Sequence, residues 1–431
     1  MTLLLLPGPF HFGKRQKMEQ IQENNSSRKT RSNRKNMLGI VCLVWAIAFV
    51  AVLFAAIVLT GYFTWSAAKE QFRGDEGHLV FSIREVREIL RNNFYYYEED
   101  ETALTEAALK GIAQATGDRY AEYYTADEYE ELKKQNDRSF VGIGILTQIS
   151  DDGVVQIVDV YADTPASEAG LKAGDILLSI NGVSYDGGAL GEFLANVHAE
   201  DGAENTFSVR RGEETLTFAI VAREVHTPSV SYRMLTDSIG YIHVLTFHGT
   251  CVDETKQALD SLREQGMKKL VFDLRDNLGG SLYDAIDIAD LFLPRNYVVT
   301  TLRSRTGEVQ EYKTSNPGLD IQTVLLVNGY SASASELVAG ALKDYDAAYL
   351  IGTKTFGKGI VQTYFKISET NGWLKITSDA YFTPNGICVQ DEGIQPDLTV
   401  NLPEDLESYS VESLTFEQDL QLQAAISYLE D

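Results

Sequence analysis

A serine-rich loop and a lysine downstream of it are the residues of this sequence best suited to covalent chemistry. The loop, 328–336, reads Asn-Gly-Tyr-Ser-Ala-Ser-Ala-Ser-Glu and follows an apolar, strand-like run at 324–327, and a helical pattern begins at Glu336. Lys358 lies further along, between two glycines. Serine is a poor nucleophile until a base takes its proton, and a neutral lysine can be that base. The pattern predicts a hydrolase with a Ser-Lys pair. Three serines are open as its nucleophile: Ser331, Ser333 and Ser335.

Lys358 needs a special environment to act as a base. An unperturbed lysine has a pKa of about 10.4 and is protonated in water, whereas burial disfavours the ammonium form and lowers the pKa. The flanking glycines allow close backbone approach, and Phe356, Ile360 and Val361 offer an apolar surround. On its own, such a lysine is more often a surface residue in a glycine turn.

Histidine and cysteine offer weaker alternatives. His226, His243 and His248 lie in the second half of the chain, but no acidic motif is placed to support a histidine triad, so structural roles are favoured. No Cys or His spacing indicates zinc, and neither a metal nor an organic cofactor is expected. Cys251 and Cys388 could form a disulfide or serve as ordinary core residues, and the second reading is favoured.

The elements around the serine loop alternate between strand and helix patterns from Ile239 onward. The predicted strands are 239–245, 269–274, 298–303 and 324–327, and the predicted helices are 253–265 and 282–293. This alternation indicates an α/β core with active groups in the loops at strand ends. Gly279 and Gly280 follow one such strand, where a backbone without side chains can approach a substrate closely.

The middle of the chain has a different pattern, with short β runs and glycine turns from about Ser139. Four runs are predicted to be strands, 140–145, 154–160, 176–180 and 207–210, and 189–197 is predicted to be a helix. The series Thr164-Pro-Ala to Ala169-Gly-Leu, Gly174-Asp and Ile180-Asn-Gly resembles a PDZ domain, which captures a peptide C-terminus by adding it to a sheet edge. The residues that match the peptide-binding loop and strand are Phe140, Val141, Gly142, Ile143 and Gly144.

Helical segments flank these two regions. Residues 81–135 have helical spacing, and Thr125 with Glu128 matches a capping box. A second segment, 416–429, ends the chain. Such arms more often pack or associate than do chemistry, so they could mediate a homodimer.

The N-terminal part predicts a membrane anchor. Residues 1–36 carry eight Lys/Arg and two Glu, whereas the whole chain has a net charge of -25, which argues against nucleic acid as a partner. Residues 37–65 are uncharged and exceed the roughly 30 Å of a bilayer core. The basic flank predicts a cytoplasmic tail and an extracytoplasmic body. A cleaved signal peptide, with a site near Ser66-Ala-Ala68, is the alternative, and Met18 is a second candidate start.

Together these motifs resemble a carboxy-terminal processing protease over roughly residue 81 to the C-terminus. The matching pieces, in order, are 117–120, 142–144, the PDZ series, 273–275, 279–280, 331–336, 357–359 with Gln362, 381–384 and 393–397. The stretch 387–390 departs from the family, which more often has Arg or Ser there.

The resemblance implies a role for each matching residue. It places the nucleophile at Ser333 and the general base at Lys358, with Gln362 orienting the lysine amine. The amides of Gly279 and Ala334 would form the oxyanion hole, with Gly280 as a one-residue alternative for the first donor. Ser331 and Ser335 would then be turn and helix-cap residues.

The predicted protein is an α/β protease core with an inserted β-rich PDZ domain, an N-terminal helical arm and one transmembrane helix. The expected segments are a cytoplasmic tail (1–36), a transmembrane helix (37–65), a helical arm (66–136), a PDZ domain (137–224), a protease core (225–402) and a C-terminal helical segment (403–431). The expected function is that of a single-pass bacterial membrane endopeptidase that binds substrate C-termini and cleaves through an acyl-enzyme. The rivals are a membrane-tethered PDZ scaffold with an inactive protease fold and a chaperone that only holds C-termini.

Overall fold

The structure, a computed structural model, describes residues 37, 42–64, 75–98, 100–150, 152–406 and 409–431. The chain divides into two compact units, 1–101 and 102–431. The first contains helices α1 (Cys42–Thr64) and α2 (Asp75–Asn93). Among the described helices, α1 is the one long and apolar enough to cross a membrane, and it fits an anchor or a signal sequence equally. The basic tail, Met18 and the candidate cleavage site at 66–68 lie outside the described residues.

From Glu101 onward the described chain forms eight α-helices, one 3₁₀ helix at Val411–Ser413 and nineteen strands. The helices are α3 (Glu101–Ala115), α4 (Ala126–Asn136), α5 (Pro165–Ala169), α6 (Leu190–Leu194), α7 (Cys251–Glu264), α8 (Leu282–Phe292), α9 (Ala334–Asp344) and α10 (Leu420–Glu430). The strands are β1 (Glu122–Tyr124), β2 (Ser139–Gly142), β3 (Ile145–Ile149), β4 (Val155–Val160), β5 (Ile176–Ile180), β6 (Val183–Ser184), β7 (Glu204–Arg211), β8 (Glu214–Val221), β9 (Arg223–His226), β10 (Val230–Met234), β11 (Ile239–Val244), β12 (Lys269–Asp273), β13 (Val298–Ser304), β14 (Val309–Lys313), β15 (Gln322–Val327), β16 (Tyr349–Gly352), β17 (Ile360–Lys366), β18 (Trp373–Phe382) and β19 (Leu398–Thr399).

A six-stranded sheet forms the centre of the second unit, in the order β10-β11-β12-β15-β16-β19. All neighbours from β11 to β19 are parallel, and β10 joins the edge antiparallel. Helices α7, α8 and α9 contribute to one hydrophobic core, while α10 contributes Leu422, Ala425 and Leu429 to a separate core with other residues of these strands. Burial on both faces explains why the central strands are continuous apolar runs. The predicted α/β core is confirmed.

A second, antiparallel sheet has the order β1-β18-β13-β14, and β17 also pairs with β18. Strand β17 begins two residues after Lys358, so this sheet continues directly from the lysine loop. The short strand β1 pairs with the first part of β18 through Glu122 and Lys375, which ties the segment after α3 to this sheet.

The PDZ region is a separate β-rich fold with its own core. Its main sheet has the order β3-β4-β5-β7-β8, with β6 paired to β5. Phe193 of α6 packs in the same core as Ile157, Leu177 and Phe207 of the strands. Strands β2 and β9 pair with each other and lead into and out of this fold. The inserted β-rich domain is therefore confirmed as a fold.

Some local predictions differ from the structure. The helix predicted at 189–197 is shorter, Leu190–Leu194. The run predicted as one strand at 140–145 is interrupted, because β2 ends at Gly142 and β3 begins at Ile145. The helical stretch 81–135 is three helices with β1 between the second and third. The capping box of Thr125 and Glu128 at the start of α4 is confirmed.

Candidate active site

The candidate site lies where two loops leave neighbouring parallel strands. Loop 274–281 follows β12 and loop 328–333 follows β15, and these strands pair directly. Because parallel strands end on the same edge of a sheet, the two loops meet there. They border a cleft of about 780 Å³, whose lining includes Ser333, Lys358 and Gln362.

Ser333 has an unusual backbone conformation. Its φ of 55° and ψ of -109° place it in a region that non-glycine residues rarely adopt, and it stands at the N-cap position of α9. The prediction that Ser335 caps this helix is wrong, because Ser335 lies inside its first turn. Ser331 and Ser335 are fully buried, and their hydroxyls donate to the carbonyls of Leu274 and Asn277. Of the three serines, Ser333 is therefore the one that lines the cleft.

The buried carboxylate of Glu336 joins the serine loop to the lysine loop. Its Oε2 accepts hydrogen bonds from the backbone amides of Ser333, at 2.9 Å, and Lys358, at 2.8 Å. Its Oε1 accepts from the Gly357 amide and the Thr355 hydroxyl, both at 2.6 Å. Four donors on one fully buried carboxylate satisfy a group that would otherwise be costly to bury. Glu336 thus holds the backbone amides of Ser333 and Lys358 in place relative to each other.

Lys358 is half-buried, and its pKa is lowered from the ordinary lysine value. Burial is the largest cause, the positive charges of Lys375 and Arg119 add to it, and the negative charge of Asp118 opposes it. Each of the first three effects favours the neutral amine that a general base requires. The Nζ atom lies 4.3 Å from the centre of the Tyr120 ring.

Gln362 lies in the same cleft as Lys358 but bonds elsewhere in this conformation. Its side-chain Nε2 donates to Thr377 Oγ1 on β18 at 3.3 Å. Within the described residues, no hydrogen bond joins Lys358 Nζ to Ser333 or to Gln362. The orienting role of Gln362 therefore stays a prediction that requires a side-chain rearrangement.

The predicted oxyanion donors lie beside the serine. A Cβ atom built on Gly279 would come within 2.7 Å of the Ala332 carbonyl oxygen and 3.0 Å of Ser333 Cβ, so a glycine is needed there. The Gly279 amide donates to Asn277 Oδ1 at 2.9 Å, whereas Gly280 lines the cleft. Ala334 occupies the first helical position, where a helix leaves its N–H without an intrahelical partner.

The backbone of buried Asn277 holds the glycine loop against the serine loop. Its carbonyl accepts from the Ala332 amide at 3.0 Å and from the Ser335 hydroxyl at 2.7 Å. Its side-chain Nδ2 donates to the Val244 carbonyl at the end of β11. Three strand ends are therefore linked through this residue.

A buried charge network supports the start of the same loop. The guanidinium of Arg275, 1% exposed, forms ion pairs with Asp273 and with Asp419 from the segment before α10, and it donates to Gln421 Oε1. Tyr241 completes the group with a hydrogen bond to Asp273. Removing one member would leave an uncompensated buried charge, so the C-terminal segment is structurally coupled to the site.

Of the three histidines, only His248 lines the cleft. His243 is buried and contacts the Arg275 carbonyl through Nε2, and His226 contacts the Asp137 carbonyl. His248 lines the cleft, where burial, its largest influence, lowers its pKa. Within the described part of the chain, none of them is hydrogen-bonded to Ser333, and no group of three or more His, Cys, Asp or Glu residues could hold a metal ion. Cys251 and Cys388 are free thiols.

The predicted peptide-binding residues divide between two places. Phe140, Val141 and Gly142 belong to β2, which pairs with β9 rather than with the main PDZ sheet. Ile143 and Gly144 form the turn into β3, which is an edge strand of that sheet. Gly144 has a φ of 82°, and a Cβ there would lie 2.4 Å from the Thr164 side chain. The structure thus offers the β3 edge for peptide addition.

Sequence reasoning did not assign three residues of this arrangement. Glu336 was visible as a glutamate three residues after a serine at a helix start, the spacing of a capping box, but the pattern does not reveal its bonds to the lysine loop. No sequence pattern around Asn277 indicates that it links the two loops. Tyr120 belonged to a matching motif, yet nothing local linked it to Lys358.

The protease core and the PDZ region are both similar in sequence to known proteins. The model of peptidase family S41 matches residues 238–400, and a PDZ domain model matches residues 156–211. The "Probable CtpA-like serine protease" of Staphylococcus aureus (strain COL) is 33% identical over 392 residues, which cover 89% of this chain and 76% of the relative. Its counterpart in Staphylococcus epidermidis is 31% identical over 398 residues, with 90% and 79% covered.

The photosystem II D1 C-terminal processing protease is a solved structure with a similar chain. It is 24% identical, and the match covers 75% of this chain and 88% of that one with a TM-score of 0.44. Since that score is below 0.5, the assignment rests on the sequence relatives and on the family models. The chain belongs to peptidase family S41, as a PDZ-containing serine protease of the C-terminal processing type.

Proposed function

We propose that this peptidase cleaves peptide bonds with Ser333 as the nucleophile and Lys358 as the general base. The observation that carries the proposal is that Ser333 is the one serine of its loop that lines the cleft, together with a half-buried lysine whose pKa is lowered. The Glu336 carboxylate holds the backbone of both residues, so their separation does not depend on flexible side chains alone.

The reaction begins when neutral Lys358 Nζ takes the proton of Ser333 Oγ as that oxygen bonds to the substrate carbonyl carbon. The oxyanion is stabilised by the amides of Ala334 and of Gly279, and the Gly279 amide must exchange its bond to Asn277 Oδ1 for one to the oxyanion. When the C–N bond breaks, Lys358 returns its proton to the leaving amine. It then accepts a proton from the water that attacks the acyl-enzyme, and that proton finally restores the Ser333 hydroxyl.

Gln362 aims the lysine amine in this mechanism. It lies on β17, four residues after Lys358, and its present bond to Thr377 is long, at 3.3 Å. In the substrate complex, Gln362 would exchange that weak bond for one to the Lys358 amine. The amine would then be held in a defined position. The lining of the cleft includes the apolar side chains of Leu278, Leu302 and Leu337, so the substrate is expected to present apolar side chains there.

The PDZ domain delivers the substrate by its C-terminal tail. An extended tail would pair with the edge of β3, and its carboxylate would bind at the turn of Ile143 and Gly144. Phe140, Val141 and Gly142 support that turn from β2. The partners are therefore proteins with an accessible C-terminus.

The protein works as an anchored enzyme of the bacterial cell membrane. Helix α1 is the anchor, the basic residues 1–36 are cytoplasmic, and the body lies outside. A homodimer formed through the helical segments is compatible with the many exposed apolar side chains of α2, which include Leu79, Val86 and Ile89.

Cleavage by the full-length protein in detergent tests the mechanism. The substrate is an unfolded protein with an apolar C-terminal tail, and Ser333→Ala and Lys358→Ala are each expected to lower the rate at least about a thousandfold. Ser261→Ala and Lys354→Ala are matched controls, since Ser261 lies on α7 outside the cleft lining and Lys354 is exposed. Ser261→Ala loses one hydrogen bond from Gln265, about 1 kcal/mol of stability at most, and keeps its activity.

Equal cleavage by the parent protein, Ser333→Ala and Lys358→Ala would contradict the Ser-Lys mechanism. Absence of cleavage by every variant, with tail binding retained, would instead favour the scaffold with an inactive protease fold.

A further inference from the structure

A tyrosine on the loop after α3 lies against the candidate base. Lys358 Nζ is 4.3 Å from the centre of the Tyr120 ring, and the guanidinium carbon of Arg119 is 4.7 Å from the same centre. Arg119 also donates a hydrogen bond to the Tyr120 hydroxyl at 2.5 Å. The face of an aromatic ring attracts cations, so this ring favours the charged form of a nearby amine.

The loop that carries this ring is attached to β18 through Asp118. Asp118 accepts from the Tyr120 amide through Oδ1 and from the Thr377 amide through Oδ2, both at 2.9 Å. The hydroxyl of the same Thr377 accepts from Gln362. The loop that carries the ring is therefore attached to Thr377. The same residue binds Gln362, whose side chain is expected to orient Lys358.

Several other charged or titratable groups surround the lysine amine. Asp118 and Arg119 come from the loop after α3, and Lys375 comes from β18. The same cleft is lined by Asp379 and Tyr381 of β18, Tyr364 of β17, Tyr312 of β14, Tyr283 of α8 and His248. The nearest positive charges, on Arg119 and Lys375, oppose protonation of Lys358, whereas Asp118 favours it.

We propose that Tyr120 is a positioning residue for Lys358: its ring holds the amine away from Ser333 between reactions and stabilises the protonated form, while Arg119 over the same ring opposes protonation. This inference rests on the proposed Ser-Lys mechanism. It accounts for a base that has no hydrogen bond to Ser333 or Gln362 within the described residues. Lys358 becomes active when it loses its proton and leaves the ring.

The pH dependence of kcat/KM for the full-length protein in detergent tests the two residues in opposite directions. Tyr120→Leu keeps the apolar contact with Lys358 but removes the ring face that stabilises its protonated form. The acidic limb of the pH profile of kcat/KM therefore moves to lower pH by about half a unit. Arg119→Gln removes a positive charge, so protonation becomes easier and the acidic limb moves to higher pH, most clearly at low salt. Tyr120→Phe keeps the aromatic ring, and Arg119→Lys keeps the positive charge. The acidic limbs of both pH profiles therefore stay at the pH of the parent protein.

A readout without catalysis separates this inference from the mechanism on which it rests. In the Ser333→Ala background, trace acetylation with acetic anhydride followed by mass spectrometry reports the neutral fraction of Lys358 at each pH. The acetylation midpoint is expected to fall in Tyr120→Leu and to rise in Arg119→Gln. If the midpoints do not separate, or if Tyr120→Leu shifts upward as simple loss of cover would cause, the role of Tyr120 is overturned. Undiminished cleavage by Ser333→Ala would contradict the proposed function instead.

Discussion

The Glu336 carboxylate allows a sharp test at the scale of single residues, because it is fully buried and accepts four hydrogen bonds. Glu336→Gln keeps the shape of the side chain but places an NH₂ group against N–H donors. We expect a loss of about 2–4 kcal/mol in the free energy of unfolding, since buried donors lose their acceptor. We also expect kcat to fall at least about tenfold, with KM less affected, because the amides of Ser333 and Lys358 shift relative to each other.

Denaturant unfolding and steady-state kinetics measure the two effects. Glu308→Gln is the matched control, since Glu308 is exposed in the turn between β13 and β14 and the same chemical change there should alter neither quantity. A Glu336→Gln protein with parental stability and parental kcat would show that the carboxylate does not hold the two loops together.

Single elements were predictable where the signal is local. The apolar run at 324–327 marks β15, the glycines at 279–280 mark loop 274–281, and the helical pattern at 282–293 marks α8. The alternation with helices indicated the α/β core of β11, β12 and β15, but β13, predicted in the same series, lies in the antiparallel second sheet. The serine loop and Lys358 were therefore predictable as candidate reactive positions, whereas the choice of Ser333 among three serines came from the family resemblance.

Contacts between distant elements could not be read in the same way. Strand β1 has three residues, and its pairing with β18 joins parts of the chain separated by the whole PDZ region. The approach of Tyr120 to Lys358 depends on that pairing, and the bonds from Glu336 to Gly357 and Lys358 depend on how α9 packs. Periodicity reports which side chains share a face of one element, not which elements meet.

The edge strand β3 carries a prediction about substrate recognition. Because β3 is unpaired on one side within the described sheet and begins at the Ile143–Gly144 turn, a bound tail should depend on its terminal carboxylate. A fluorescent peptide with an apolar free C-terminus is expected to bind the Ser333→Ala protein at least about tenfold more tightly than the same peptide ending in an amide. Fluorescence anisotropy measures both affinities.

A peptide with the same composition in scrambled order and a free carboxylate is the control for non-specific apolar binding. Equal affinity for the acid and the amide would mean that the tail is not read at this turn. Loss of the difference in Gly144→Val, whose side chain would collide with Thr164, would place the carboxylate at the predicted loop.

The distribution of charge over the whole molecule bears on its location. The body must be strongly acidic, since the chain totals -25 while residues 1–36 contain eight basic and two acidic residues. The uncharged residues 37–65 between them would span roughly 43 Å as a helix, more than the hydrocarbon thickness of a bilayer. The length of this run favours an anchor, a cleaved signal sequence is the alternative, and the two predict different mature proteins.

An uncleaved anchor keeps the full-length protein in the bacterial membrane pellet after an alkaline carbonate wash, whereas a variant without residues 1–65 is found in the soluble fraction. Added protease should digest the body of the anchored protein in spheroplasts and spare an epitope placed before Met37, since the basic flank stays in the cytoplasm. A mature N-terminus near Lys69 would instead identify a signal peptide, and protection of the body in intact spheroplasts would reverse the orientation. The reversed orientation would change which protein C-termini the enzyme can reach, because a tail-binding protease acts only on substrates in its own compartment, whereas signal cleavage would only release the body from the membrane.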